Sequence, residues 1–325
     1  MRSPAQRLDW LDLFRGLAVL GMVWTHSANT FLDTSHQNSS WFREWSYYHG
    51  LIAPAFFWIA GFARAHVTTA ASKPAWPAMK RLLMVLLAGY MLHVPWDRLL
   101  DAQALRAALV VDVLHCLAVS GMILLVVERC GRWREPLVAL LLVVFVGLEE
   151  PAQGWRTGFT ALDAYFNRSH GSLFALFPWV GFGLAGFVTR RVWNGQVNLQ
   201  ALVVAVVGAL FAFAQPWSPW PGGLPSFFLE RLGWVMMSAV VVAIMEASLS
   251  RFTGWLRLAG RESLLLYIVH LLLIHSIPLP RQPLQHLIGP TQSVGGVLAI
   301  FAGLFAGSWL LGAWNERRKR RARET

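Results

Sequence analysis

Charge is scarce in this chain. Only 14% of its 325 residues are Asp, Glu, Lys or Arg, against about a quarter in an ordinary soluble domain. That excludes a solvated globular domain. Cysteine is scarcer: Cys116 and Cys130 are the two present, with neither zinc-site nor redox-motif spacing. One falls in an apolar span and the other in a cytoplasmic loop, so a disulfide between them is not expected. A HExxH helix, a P-loop, a GxSxG elbow and a GxGxxG turn are all missing, which removes the usual sequence evidence for zinc peptidases, NTPases, α/β-hydrolases and dinucleotide enzymes. The remaining histidines are scattered singly, so no metal site is expected. No small-residue cleavage site follows MRSPAQRLDW, so the N-terminus reads as leading into an uncleaved first helix. No long polar linker and no repeat of fixed period divides the chain, which reads as one domain over 1–316 followed by a polybasic tail over 317–325.

What is abundant is apolar sequence. Hydrophobic residues make up 56% of the chain, and there are 17 Trp, a residue enriched at bilayer interfaces. A helix needs roughly 20 apolar residues to cross about 30 Å of hydrocarbon. Ten segments qualify, at about 11–31, 50–70, 78–96, 108–127, 134–148, 171–188, 199–216, 232–249, 260–277 and 293–314. The expected fold is therefore all-α: a polytopic integral membrane protein of about ten transmembrane helices.

The formal net charge of +11 would point to nucleic acid in a soluble protein. Here its distribution is sided. With the N-terminus in the cytoplasm, every cytoplasmic segment carries at least two Lys or Arg. They include Lys73, Lys80 and Arg81, then Arg129, Arg132 and Arg134, then Arg190 and Arg191, then Arg251, Arg257 and Arg261, and the tail from Arg317. The positive-inside rule then puts both termini in the cytoplasm. The tail reads as an anchor on anionic lipid, and no nucleic-acid partner is expected. The opposite loops, 31–50, 148–171 and 215–231, are long, aromatic and rich in Asn, Ser, Asp, Glu and His, a composition that suits sugar rings. Asn38 and Asn167 match the glycosylation sequon, a weak pattern.

Ionisable residues inside a span are costly and are functional candidates by default. In DLFRGLAVLGMVWTH, residues 12–26, Asp12 and Arg15 are three apart and can pair on one helix face. His26 lies eleven residues beyond Arg15, within about 20° of the same face and about 16 Å along the axis. Asp12, Arg15, Val19, Met22 and His26 form one stripe. A charge at the entrance with an acid–base group deep on the same face suits a long anionic ligand lying along the helix. Gly16 and Gly21 permit close approach of a helix or a ligand. Other polar clusters are Tyr48 and His49 with Pro54, Gly61, Arg64 and His66; Arg261 and Glu262 with Tyr267, His270 and His275; and Asp112 with His115. His270 and His275 are five apart, which does not align them on an α-helix.

These motifs together resemble the transmembrane acyltransferases: the acyltransferase-three family and, more closely, the catalytic domain of heparan-α-glucosaminide N-acetyltransferase and its bacterial relatives. The resemblance rests on the Arg-x10-His pattern of Arg15 and His26, with Arg15 in LDLFRG, on His49, Ala53-Pro54, Phe56-Phe57 and Gly61, on LFPWVGFGLAG at 176–186, and on GRESLLLYIVH at 260–270. It implies transfer of an acyl group, acetyl in the first instance, from cytoplasmic acyl-CoA to a glycan or glycolipid across a bacterial inner (plasma) membrane. It implies that Arg15, with Asp12 and Arg261 at the same end, and Lys80 with Arg81, hold the CoA phosphates. His26 would be the general base, assisted by His36 or His49. The alternative reading is a proton-coupled transporter of a small anion or acyl compound, which would use the same buried His and Arg residues.

Overall fold

The computed structural model of the chain describes residues 7–68, 75–94, 100–102, 105, 108–213, 224–277 and 282–324. Lys73 and loop residues 215–223, which enter the sidedness and loop composition, lie outside the described residues. Among the described residues the protein is all-helical, and its one isolated extended pairing is a parallel bridge between Leu32 and Gln292.

The helices are α1 (Asp9–Phe31), α2 (Thr34–Gln37), α3 (Ser40–His49), α4 (Ile52–Thr68), α5 (Ala75–His93), α6 (Val113–Val127), α7 (Arg134–Gly147), α8 (Glu149–Gln153), α9 (Thr160–Phe166), α10 (Leu176–Val192), α11 (Leu199–Phe213), α12 (Leu224–Leu249), α13 (Gly254–Arg261), α14 (Ser263–Leu271), α15 (Leu284–Ile288) and α16 (Val294–Glu324). Each of the ten apolar segments is occupied by a helix. Among the described residues, four stretches are long and apolar enough to cross a bilayer unaided: Ser40–Val67, Ala75–His93, Phe227–Leu249 and Val294–Ala322. A fifth arises if α13 and the segment Ser263–Ser276, bent by 75° at their junction, form one span. The shortfall from about ten has physical reasons. Helices α6 and α11 run for only 15 residues each, and α1 carries Asp9, Asp12 and Arg15 in its first two turns.

The chain forms two compact units, Met1–Arg7 with Ala53–Val241, and Leu8–Ile52 with Val242–Thr325. Of the chain crossings between them, the one at Ile52/Ala53 falls inside α4 and the one at Val241/Val242 inside α12.

In the first unit α5 packs on α6, and α10 packs on α6 and α7. Helices α4 and α10 meet through glycines: a Cβ at Gly61 would fall on the Gly183 carbonyl oxygen, and one at Gly186 on the Trp58 carbonyl oxygen. Small residues at such points let two backbones approach. Trp58, Phe62, Phe182, Phe187 and Trp193 are fully buried around this contact, and the Trp58 indole N–H donates to Thr189 Oγ1 at 3.3 Å. Cys116 is buried and both cysteines are free.

In the second unit α1 is the hub, against α13, α14 and α16. Gly16 meets the Leu256 carbonyl and the Gly260 nitrogen, while Gly260 meets the Asp12 carbonyl. Gly21 faces the Ile52 side chain. The segment after α1 is itself helical, as α2 and α3, because Asp33 and Ser39 cap those helices with side-chain oxygens. At the other end α16 continues through the basic tail to Glu324.

Candidate active site

The stripe on α1 forms largely as its spacing demands. Asp12, Val19 and Met22 are buried, and Arg15 and His26 are half-buried. Arg15 Nη1 lies 3.6 Å from Asp12 Oδ1. At the far end of the stripe, the His26 ring stands against His270, with centroids 5.1 Å apart and planes at 67°. His270 is completely buried. Its Nδ1–H donates to the Leu266 carbonyl at 2.7 Å, the intrahelical partner four residues back. Its Nε2 is buried with no hydrogen-bond partner among the described residues. Tyr267 meets the same ring edge-on at 5.8 Å.

Two further histidines lie within electrostatic reach of His26: His49, the last residue of α3, and His275. The five-residue spacing of His270 and His275 does not align on an α-helix, but the chain is a π-helix over Leu272–Ser276. Its wider turn brings residues five apart into register. His275 Nδ1 is 2.6 Å from Gln285 Oε1. An i→i+5 turn leaves no mark in hydrophobic periodicity, so sequence reasoning undervalued both residues.

His36 is engaged elsewhere. Its Nδ1 lies 2.6 Å from Asp33 Oδ2, and Asp33 also accepts from Ser35 Oγ at 2.6 Å and from the His36 backbone N–H at 3.0 Å. These bonds, the Ser35 hydroxyl foremost, hold the Asp33 carboxyl down at about 2.

Near Arg15, at the other end of the second unit, the cations are tethered. Arg257 Nη1 bridges Asp9 at 3.0 Å and Glu246 at 2.7 Å. Arg261 Nε lies 3.4 Å from Glu316 Oε1. Glu262, only 5% exposed, accepts from Lys319 Nζ at 2.6 Å and from Asn315 Nδ2 at 2.8 Å. The α13–α14 break falls at Glu262, whose backbone leaves the helical region with φ −101° and ψ 22°. Tail residues thus close onto the break that sequence reading put inside an unbroken span.

In the first unit Lys80 and Arg81 are exposed. Arg81 lines a cavity of about 220 Å³ with Arg64, Gly61, Ser120 and Gly121. The Arg64 guanidinium holds Glu128 in a two-point grip, through Nε at 2.7 Å and through Nη2. His66 Nδ1 accepts from Arg190 Nε at 3.2 Å. The polar pair Asp112 and His115 proves to be a helix start. The Asp112 backbone N–H donates to His115 Nδ1 at 3.0 Å, and the Asp112 carboxylate caps α6, a capping box with His in the Glu position.

The loop between α7 and α10 is tied to itself. Arg168 pairs with the buried Glu149 at 3.1 Å. Burial nevertheless raises the Glu149 carboxyl, outweighing the pull of Arg168. Asp163 accepts from the Thr157 backbone and hydroxyl, both at 2.7 Å. Asn167 is completely buried and its Nδ2 donates to the Trp155 carbonyl, so the sequon there is closed to modification in the folded chain.

No curated protein matches the chain. The family model described as heparan-alpha-glucosaminide N-acetyltransferase, catalytic, matches residues 7–218, which include the α1 stripe, His49, Lys80 and Arg81. With more than half its length so matched, this helical membrane protein belongs to the heparan-alpha-glucosaminide N-acetyltransferase catalytic-domain family, a family of acetyltransferases.

Proposed function

We propose that the protein transfers an acyl group, acetyl in the first instance, from cytoplasmic acyl-CoA to a hydroxyl or amine of a glycan or glycolipid on the far side of a bacterial inner membrane. About ten helices, several of them short or bent, would cross that membrane, with both termini in the cytoplasm. The observation that carries the reading is the α1 stripe, with Arg15 at one end and His26 among other histidines at the other. Arg15 contributes positive charge for the CoA phosphates, oriented by Asp12, and Arg261 adds to it. Lys80 and Arg81 supply further cationic contacts.

His26 acts as general base. It accepts the proton of the acceptor O–H or N–H as that atom attacks the thioester carbonyl. The C–S bond then breaks, and the departing CoA thiolate takes the proton back from His26. Products are the acylated acceptor and free CoA. His49 assists from the end of α3, and the engagement of His36 by Asp33 favours His49 over His36 for that role.

The test uses purified full-length protein in detergent with radiolabelled acetyl-CoA and glucosamine, which offers both hydroxyl and amine acceptors. His26→Ala should reduce turnover by at least about 10²-fold, the usual contribution of a positioned acid–base group. Arg15→Ala should chiefly raise the KM for acetyl-CoA. Transfer that survives both substitutions unchanged would overturn the mechanism.

A further inference from the structure

We infer that His270 is the positioning residue for His26, selecting which of its ring nitrogens carries the proton. The inference rests on the reading of His26 as general base, but its evidence is separate, because His270 lies beyond the 7–218 match.

The reasoning begins with hydrogen positions. A neutral imidazole has one N–H and one lone pair. In His270 the Nδ1 faces the Leu266 carbonyl at 2.7 Å. A carbonyl oxygen can only accept, so Nδ1 carries the hydrogen and Nε2 carries the lone pair. That lone pair is buried and unsatisfied by any described protein group, in a residue with no exposure at all. A buried acceptor left unmet keeps the full penalty of losing its water, so a donor is called for.

The aromatic neighbours of the ring are Tyr267 and His26. His26 stands edge-on with centroids 5.1 Å apart, and one of its ring N–H groups is the donor assigned to His270 Nε2. His26 is also only half-buried, so its other nitrogen can face a substrate. Among the described residues, the groups recorded as acting on the pair are His49 and His275 on the His26 side, and His275 with the Tyr267 ring on the His270 side. None of these is a carboxylate, so His270 takes the orienting place that Asp holds in the serine-protease triad.

The consequence is chemical. With one nitrogen of His26 donating to His270, the other is a lone pair aimed at the acceptor. When that lone pair takes the acceptor proton, the resulting imidazolium shares its second N–H with His270 Nε2. The first proton then leaves for the thiolate, and His26 returns to its starting tautomer. No proton is lost or gained.

The test combines a spectroscopic readout with kinetics on the full-length protein. Histidine ring ¹⁵N spectra of wild type should show His270 as the Nδ1–H form and His26 in a single neutral tautomer. In His270→Phe, which keeps the ring volume, His26 should populate both tautomers. Its turnover of acetyl-CoA with glucosamine should fall by about 10²-fold, with the KM for acetyl-CoA and the melting temperature little changed. His270→Gln places an amide near the Nε2 position and should recover at least about tenfold of the loss. A single unchanged His26 tautomer in His270→Phe, or turnover within about threefold of wild type, overturns the inference. If His270→Phe does not fold, His270→Leu, which likewise lacks an acceptor at the Nε2 position, carries the same comparison, with a single unchanged tautomer and undiminished turnover as the contrary result. If wild type transfers no acetyl group, the catalytic reading fails while the tautomer spectra still decide whether His270 orients His26.

Discussion

Gly16 and Gly260 meet backbone to backbone. A Cβ on Gly260 would lie 2.9 Å from the Gly16 nitrogen and fall on the carbonyl oxygen of Asp12. The same contact sets the angle at which α13 leaves α1, beside the Asp12–Arg15 pair.

Alanine at Gly16 or Gly260 therefore forces two backbones apart, and neither has a flexible side chain to yield. The expected loss is about 3 kcal/mol, the upper range for overpacking, seen as a lower melting temperature in detergent. Gly303→Ala and Gly307→Ala on α16, where an added Cβ meets nothing within 4 Å, serve as controls and should be neutral or slightly stabilising, since Ala is the better helix former.

Arg64 and Glu128 give a second prediction. Glu128 has only 7% of its side chain exposed, and a buried carboxylate that loses its cation is strongly penalised. Arg64→Ala should cost about 2 kcal/mol of stability, less than for a fully buried pair because Arg64 retains 26% exposure. Arg64→Lys keeps the charge but loses the two-point fork, and should recover only part. The double substitution with Glu128→Ala should cost less than the sum of the singles, which thermal melts of all four proteins would measure.

The basic tail should matter for folding as well as for lipid contact. Lys319→Ala leaves Glu262 with Asn315 as its remaining side-chain partner of those described above. A loss of about 1 kcal/mol is expected for a pair with one half-exposed member. Removal of residues 317–325 should lower the melting temperature in neutral detergent, where no anionic lipid is present, at least as much as Lys319→Ala. An unchanged melt would mean that the tail serves the membrane surface alone.

Asp33 supplies a pH dependence. Its carboxyl is held at about 2, below the ordinary 3.8, by the Ser35 hydroxyl and the His36 backbone N–H. The charged form is the one the fold favours, so its contribution is complete above pH 3.8 and is lost as pH falls through about 2. Pepsin cleavage within residues 32–39 should therefore accelerate between those pH values in wild type. In Asp33→Ala it should already be fast at the upper one.

Much of the second unit's polar arrangement is legible along α1, because a single helix has a rigid repeat. Spacings of three and eleven residues put Asp12, Arg15 and His26 on one stripe, and glycines at 16 and 61 marked close approaches. Asp112 and His115 were legible as a pair but not as a helix cap, since the same spacing serves a site or a helix start. The contacts at the Glu262 break escaped sequence reading because the partners, Asn315 and Lys319, lie more than fifty residues away.

What the sequence alone determined was an oily, all-helical chain with sided basic charge and a charged stripe on its first helix, since these follow from composition and local periodicity. Only the tertiary structure decided which histidine meets His26. The ring contact of His26 with His270 joins residues 244 positions apart in the chain, and contacts of that kind depend on packing that no local pattern encodes.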